Sequence, residues 1–236
     1  KFFNGKVIDI TGSSGKSTTT RMVYDILKDK GASANLGQAN TSWGIAWNMS
    51  NFNINDAYWI IETSLGGGIA RNSKITLPDY AIITNIAPVH LRDDQKLSDI
   101  AVEKSKIFTA MNEGAYAVLY KQMEHFDIIE KAAKDKKLNI ITFGTDDADI
   151  KVYCGEENSF DVFGKAYKFS KSPVPEHIML DMAAALAAAS LSMSASADGE
   201  DKIEIAITGG GEDSMQLNTA TGSYLNGLSA MRHLYE

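Results

Sequence analysis

Thr11-Gly12-Ser13-Ser14-Gly15-Lys16-Ser17 lies between a short β-branched run, Lys6-Val7-Ile8-Asp9-Ile10, and a segment from Lys16 to Lys30. That segment places Met22, Val23, Ile26 and Leu27 at helical spacing, and Gly31 stands where a left-handed residue would end the helix. Strand, glycine loop and helix in this order form the opening unit of a parallel sheet. Gly12 and Gly15 can take positive φ and carry no Cβ to hold a phosphate away. Successive backbone N–H groups would then converge on phosphate oxygens at the positive end of the helix. Lys16 would reach the β- and γ-phosphates, and the Ser17 hydroxyl would ligate Mg²⁺. The general consensus opens with glycine where Ile10 stands. The bland alternative, a glycine turn with an incidental lysine, fits poorly with a strand before it and Ser17-Thr18-Thr19-Thr20 opening a helix after it.

The rest of the chain repeats the theme. Ala57 to Ile61 and Tyr80 to Thr84 are continuous apolar runs, suited to strands covered on both faces. Lys96 to Met111 is helical in pattern, and Ala115 to Leu119, Glu124 to Lys137 and Asn139 to Phe143 read as strand, helix, strand. The expected fold is α/β, P-loop NTPase-like, with a doubly wound, mostly parallel sheet. Beyond Gly144, Ile150 to Tyr153, Ser159 to Val162 and Ala166 to Phe169 predict a small antiparallel meander. Pro173 and Pro175 precede an alanine-rich helix from Glu176 to Met193, read as a core helix. Ser194 to Asp201 is a polar loop, and Ile203 to Glu236 shows little apolar periodicity. We expect one domain over 1–208 and a junction, or the start of another domain, over 209–236.

The 236 residues are 44% hydrophobic and 22% charged, an ordinary globular balance. A net charge of −7 argues against a surface that neutralises nucleic-acid phosphates. The single cysteine, Cys154, excludes a disulfide framework and a multi-cysteine metal site, so a cytoplasmic setting is expected. The longest strongly apolar window, Met182 to Leu191, is about half a bilayer span, so no membrane partner is expected. No signal peptide is visible, and a first residue other than Met reads as a chain excised from a longer one.

A metal–nucleotide site needs further ligands. Glu62 ends the run Trp59-Ile60-Ile61 at the sheet edge where ligands collect, and reads either as a metal-bound group or as a solvated strand end. His90, shortly after the strand ending in Thr84-Asn85-Ile86, reads equally as ligand or surface loop. Lys104, taken alone, reads as a solvated helix lysine.

Three ordered stretches carry a resemblance: Ile10 to Thr20, Glu62-Thr63-Ser64, and Pro78 to Ile86 followed by His90-Leu91 and Ile100 to Phe108. They resemble the central domain of the Mur ligase superfamily of ATP-dependent amide-bond ligases, and most of all the MurF branch, which adds D-alanyl-D-alanine. The family's shortened loop form accommodates Ile10. The resemblance implies that Lys16, the loop from Gly12 through Ser13, Ser14, Gly15 and Ser17 to Thr18, and Asn85 bind ATP. It implies that Ser17 and Glu62 hold one Mg²⁺, that His90 helps hold a second, and that Lys104 is carried as a carbamate, with Lys16, His90 and Lys104 catalytic. Asn40, Thr41 and Gly44 resemble the substrate-side loop.

The implied chemistry joins a small-molecule carboxylate to an amine through an acyl phosphate, giving ADP and phosphate. Amino- and carboxy-terminal domains, or partner subunits, would supply the rest of the substrate cleft. Two departures stand out. The family helix that follows the equivalent of His177 has asparagines where this chain has Ile178 and Asp181, the second commonly facing adenine. Thr208 to Glu212 also lacks an expected arginine. An aspartate can accept from the exocyclic amine but cannot donate to a ring nitrogen. Two other readings stay open: an ATP-binding module without ligase turnover, and a P-loop small-molecule kinase that would not need Lys104.

Overall fold

The computed structural model describes residues 3–37, 39–66, 68–88, 95–155, 158–162, 165–168, 174–193, 203–206 and 214–217. Strand β1 (Lys6–Thr11) runs into the glycine loop and then helix α1 (Lys16–Leu27), whose last turn tightens into a 3₁₀ segment, Lys28–Lys30. Gly31, at φ 80°, ends it as expected. Next come β2 (Ala32–Ala34), α2 (Ser42–Asn51), β3 (Tyr58–Glu62), α3 (Ile69–Thr76) and β4 (Tyr80–Ile83). Helix α4 (Leu97–Ser105) passes into a 3₁₀ segment, Lys106–Ala110, so the predicted single helix is split. Strand β5 (Tyr116–Tyr120), α5 (Phe126–Asp135) and β6 (Asn139–Gly144) follow, then β7 (Ile150–Tyr153), β8 (Ser159–Val162), β9 (Lys165–Lys168) and α6 (Glu176–Met193).

These strands form one nine-stranded sheet in the order β2-β3-β1-β4-β5-β6-β7-β8-β9. Pairing is parallel from β2 through β7 and antiparallel from β7 through β9. The small meander is therefore an extension of the main sheet. Strand order reverses around β1, which lies between β3 and β4. Ile10 pairs opposite Glu62 and Thr11 opposite Ile83, so three strands end at one edge.

Side-chain alternation divides the core. Ile8, Ile10, Tyr58, Ile60, Tyr80 and Ile82 face α1 and α6. Ala81, Ile83, Ala117 and Leu119 face the other way, into a core with residues of α4 and α5. Val7, Trp59 and Ile61 share that second face with Ile45 of α2. The run Ala183 to Ala189 of α6 is fully buried, which small side chains permit at close helix–sheet approach.

Three elements before β4 were not anticipated. β2 is too short to show a pattern. Helix α2 buries Ile45 but exposes Trp43 and Trp47, so its two largest apolar residues do not mark its inner face. Helix α3 turns Asn72, Ser73 and Thr76 inward with Ile69, a polar buried face that apolar periodicity cannot register. Strands β10 (Ile203–Ala206) and β11 (Ser214–Leu217) form a separate antiparallel pair on either side of the expected 208/209 boundary. The expected loop from Ser194 to Asp201 lies outside the described residues.

Candidate functional site

The ends of β1, β3 and β4 are tied together before any ligand is considered. Thr84 N–H donates to the Thr11 carbonyl at 2.9 Å, and Thr84 Oγ1 donates to the Ser14 carbonyl at 2.5 Å. A Cβ on residue 12 would sit 1.8 Å from Thr84 Oγ1, so Gly12 is required by the approach of β4. Asn85 braces the loop: its Oδ1 accepts from the N–H groups of Ser13 and Ser14 at 3.0 and 2.9 Å, and its Nδ2 donates to Ser14 Oγ at 2.5 Å. Ser13 Oγ also bonds Ala87.

This bracing narrows the expectation for the loop. The Ser13 and Ser14 amides are engaged by Asn85, and the first intrahelical bond runs from Thr19 N–H to the Gly15 carbonyl. The amides of Lys16, Ser17 and Thr18 precede that bond and are the ones the first turn of α1 leaves to an anion. Gly15 caps α1 in the left-handed region, at φ 77°. Its missing Cβ accommodates a neighbour, because a Cβ there would lie 2.2 Å from Asp181 Oδ1.

Asp181 thus stands behind the loop, accepting from Thr19 Oγ1 at 3.3 Å. Burial raises its carboxyl to about pH 7, partly opposed by the Thr19 bond.

Glu62 is 2% exposed, which removes the reading as a solvated strand end. Its Oε2 accepts from Ser17 Oγ at 2.7 Å and its Oε1 from Asn40 Nδ2 at 2.7 Å. Asn35, fully buried, brackets the Glu62 backbone: Nδ2 donates to the Glu62 carbonyl at 3.0 Å, and Oδ1 accepts from its N–H at 2.6 Å. Nothing in the sequence around Asn35 separates it from a loop asparagine. A hydroxyl and a carboxylate held this way are hard oxygen donors of the kind Mg²⁺ takes. Thr41 is exposed at the N-cap of α2, beside Asn40, whose carbonyl accepts from Ser64 N–H at 3.0 Å.

Across an open cleft of about 1080 Å³ from Lys16 and Glu62 stands α4, which presents Asp99, Glu103 and Lys104. Lys104 is 2% exposed, contrary to its reading as a solvated lysine. Burial, with a smaller contribution from the Lys16 charge, lowers its amine to about pH 7. Lys106, by contrast, pairs with Glu103 on a partly exposed face. His90 lies outside the described residues. Among the described residues, no group of three or more His, Cys, Asp or Glu side chains could hold a metal.

Lys16 and the Ser17–Glu62 pair meet where the strand order reverses, at the carboxyl edge of the sheet, and this defines a P-loop-type nucleotide-binding α/β domain. Residues 10–189 match the family model described as the Mur ligase middle domain, so the chain belongs to the Mur ligase family. It is 31% identical over 172 residues to a UDP-N-acetylmuramoyl-tripeptide–D-alanyl-D-alanine ligase of Borreliella burgdorferi, a match covering 70% of this chain and 37% of that protein. A UDP-N-acetylmuramoylalanine–D-glutamate ligase of Rickettsia prowazekii is 30% identical over 149 residues, 59% of this chain and 29% of the relative. Among solved structures, MurF from Acinetobacter baumannii superposes with a TM-score of 0.72 at 26% identity, covering 80% of this chain and 43% of that one. The chain spans less than half the length of these relatives.

Proposed function

We propose that the chain is the ATP-binding domain of a Mur-type ligase that joins a carboxylate to an amine through an acyl phosphate. The observation that carries this reading is the contact of 2.7 Å between Ser17 and Glu62 beside Lys16, with buried Lys104 lining the same cleft. Lys16 and the first-turn amides of α1 would hold the ATP phosphates and offset charge on the transferred phosphoryl group. Ser17 and Glu62 would hold one Mg²⁺, and His90 would help to hold a second. When bound, the metal supplies Lewis-acid charge at the phosphates.

In the first step a carboxylate oxygen bonds to the γ-phosphorus and ADP leaves. In the second, the amine nitrogen bonds to the acyl carbon, phosphate leaves and the nitrogen loses its proton. An amine near pH 7 is partly neutral at physiological pH, the form that reacts with CO₂, so Lys104 is suited to carry a carbamate. That anion would face the Lys16 cation.

The relatives' names point to UDP-muramoyl peptides and D-amino-acid units as the substrate class, with flanking domains or partner subunits completing the cleft. Neither a nucleic-acid nor a membrane partner is proposed. The net charge is −7, and among the described residues no helix is long and apolar enough to cross a membrane. A cytoplasmic setting is part of the proposal.

The test is Mg²⁺-dependent ATP binding by the chain and by Lys16→Ala. A loss of about tenfold or more is expected on removal of one charge-assisted phosphate contact, whereas equal affinity would refute the reading. With flanking domains restored, amino-acid-dependent phosphate release separates a ligase from a module that only binds ATP. For Lys104, a carbamate signal from ¹³C-bicarbonate and rescue of Lys104→Ala by short carboxylates are expected. Full activity in Lys104→Arg would contradict the carbamate and favour a kinase-like site.

A further inference from the structure

The layer between the sheet and α3, directly behind the phosphate loop, contains a polar cluster that neither packing nor the proposed chemistry uses. Val7 of β1 and Trp59 and Ile61 of β3 lie in this layer, so alternation brings Asp9, Thr11 and Thr63 onto the same face. Thr63 N–H donates to the Ile10 carbonyl at 2.8 Å, continuing the β1–β3 ladder and setting Thr63 beside Thr11. The Thr63 hydroxyl also faces the Asp9 carboxylate, without a well-formed bond.

From the helix side, Thr76 Oγ1 donates to Asp9 Oδ2 at 2.8 Å. Asn72 lies one turn earlier on the same buried face. Because α3 leads into parallel strand β4, it runs against the strands, and one turn earlier is one turn nearer Thr11 and Thr63. Ser42 Oγ donates to Asn72 Oδ1 at 2.5 Å, and the buried amide nitrogen has no protein partner among the described residues.

Four buried atoms in this cluster have no protein partner among the described residues: Asp9 Oδ1, Thr11 Oγ1, Thr63 Oγ1 and Asn72 Nδ2. Asp9, Thr11, Thr63 and Asn72 are all fully buried. Orphaned buried groups of this kind carry a desolvation cost, so native proteins rarely leave four together.

We propose that one ordered water molecule occupies this cluster and joins Asp9, Thr11, Thr63 and Asn72. It donates to Asp9 Oδ1 and to the Thr63 hydroxyl, whose own proton is directed at the Asp9 carboxylate, and accepts from Asn72 Nδ2 and the Thr11 hydroxyl. The donor count closes: one carboxylate acceptor, one amide donor and two hydroxyls able to do either match the two donors and two acceptors of water. A monovalent cation fits less well, because Asn72 turns a donor toward the same space. The water cross-links the two strand ends from which the phosphate loop and Glu62 emerge.

A crystal structure at about 1.5 Å or better tests this directly. The expected result is a density peak at roughly 2.6–3.2 Å from Asp9 Oδ1, Asn72 Nδ2 and at least one threonine hydroxyl. Absence of a peak, with the side chains turned to bond one another, overturns it, as does a cation held by Asp9 with Asn72 turned away. In solution, ¹⁷O relaxation dispersion should count one fewer long-lived internal water in Asp9→Leu than in the unaltered chain, and equal counts overturn the proposal. Asn72→Met, which removes the donor from the helix side, serves for the same count should Asp9→Leu not fold.

Discussion

Gly15 and Asp181 form a pair that neither residue's immediate sequence neighbours announce. Gly15→Ala forces a left-handed conformation on an L-residue and pushes a methyl group against Asp181, so we expect a loss of about 1–3 kcal/mol in chemical denaturation. Asp181→Gly should restore part of that loss, and strictly additive effects would show that the contact is unimportant. Titration supplies a second outcome. The Asp181 carboxyl, raised to about 7 by burial, holds a proton that the unfolded chain releases near pH 4. Its contribution is therefore full below about pH 4 and is lost as pH rises through 7. Between pH 5 and 8 the native chain should lose about 2–3 kcal/mol more stability than Asp181→Asn, as read from urea midpoints. Lys104 titrates with the opposite sense: its lowered amine penalises folding below pH 7, and the penalty is relieved as pH rises toward 10.5. In CO₂-free buffer at pH 7, Lys104→Met should raise stability by about 2 kcal/mol or more, and on the proposed ligase reading it should abolish turnover when flanking domains are supplied.

At the scale of elements, α6 and α3 cover the sheet by different means. Helix α6 presses a fully buried alanine run against α1 and strands β5 to β7, so added volume has nowhere to go. Ala185→Leu should cost about 1–3 kcal/mol, measured as a shift of the denaturation midpoint at unchanged slope. Helix α3 instead buries Asn72, Ser73 and Thr76, with Ser73 Oγ donating to the Ile107 carbonyl at 2.7 Å. This difference explains which helices were legible. Helix α1 has apolar residues on its buried face, whereas α2 turns Trp43 and Trp47 to solvent and α3 turns hydroxyls and an amide inward. Hydrophobic periodicity reports only the first kind of helix.

Over the whole molecule, the parallel register of β3, β1 and β4 brings Glu62, the phosphate loop and Thr84-Asn85 to one edge. A ligand bound at that edge links three strands whose pairing spans the centre of the sheet, so binding and global stability are coupled. Mg²⁺·ATP at about a hundred times its Kd should stabilise the chain by about 2.7 kcal/mol, read as a rise in Tm. Lys16→Ala should show little of that rise at the same nucleotide concentration. The chain spans less than half of its relatives' length, so on the proposed ligase reading amino-acid-dependent phosphate release should appear only when flanking domains are supplied.

Local chemistry settled the strand–loop–helix unit and the buried parallel strands, because glycine freedom and β-branching act within a few residues of one another, and three ordered motifs carried the resemblance to the ligase family that the match over residues 10–189 shows. The sequence also marked Glu62 and Lys104, but left each with two readings. Only the tertiary structure removed the solvated reading of each, by burying both side chains and setting Glu62 against Ser17 and Asn40. Asn35, the Asn85 brace and the cluster around Asp9 were invisible for the same reason: each depends on partners brought together by strand pairing and helix packing, across up to seventy-two positions of chain. Burial and long-range hydrogen bonding are properties of the packed chain, and no window along the sequence contains them.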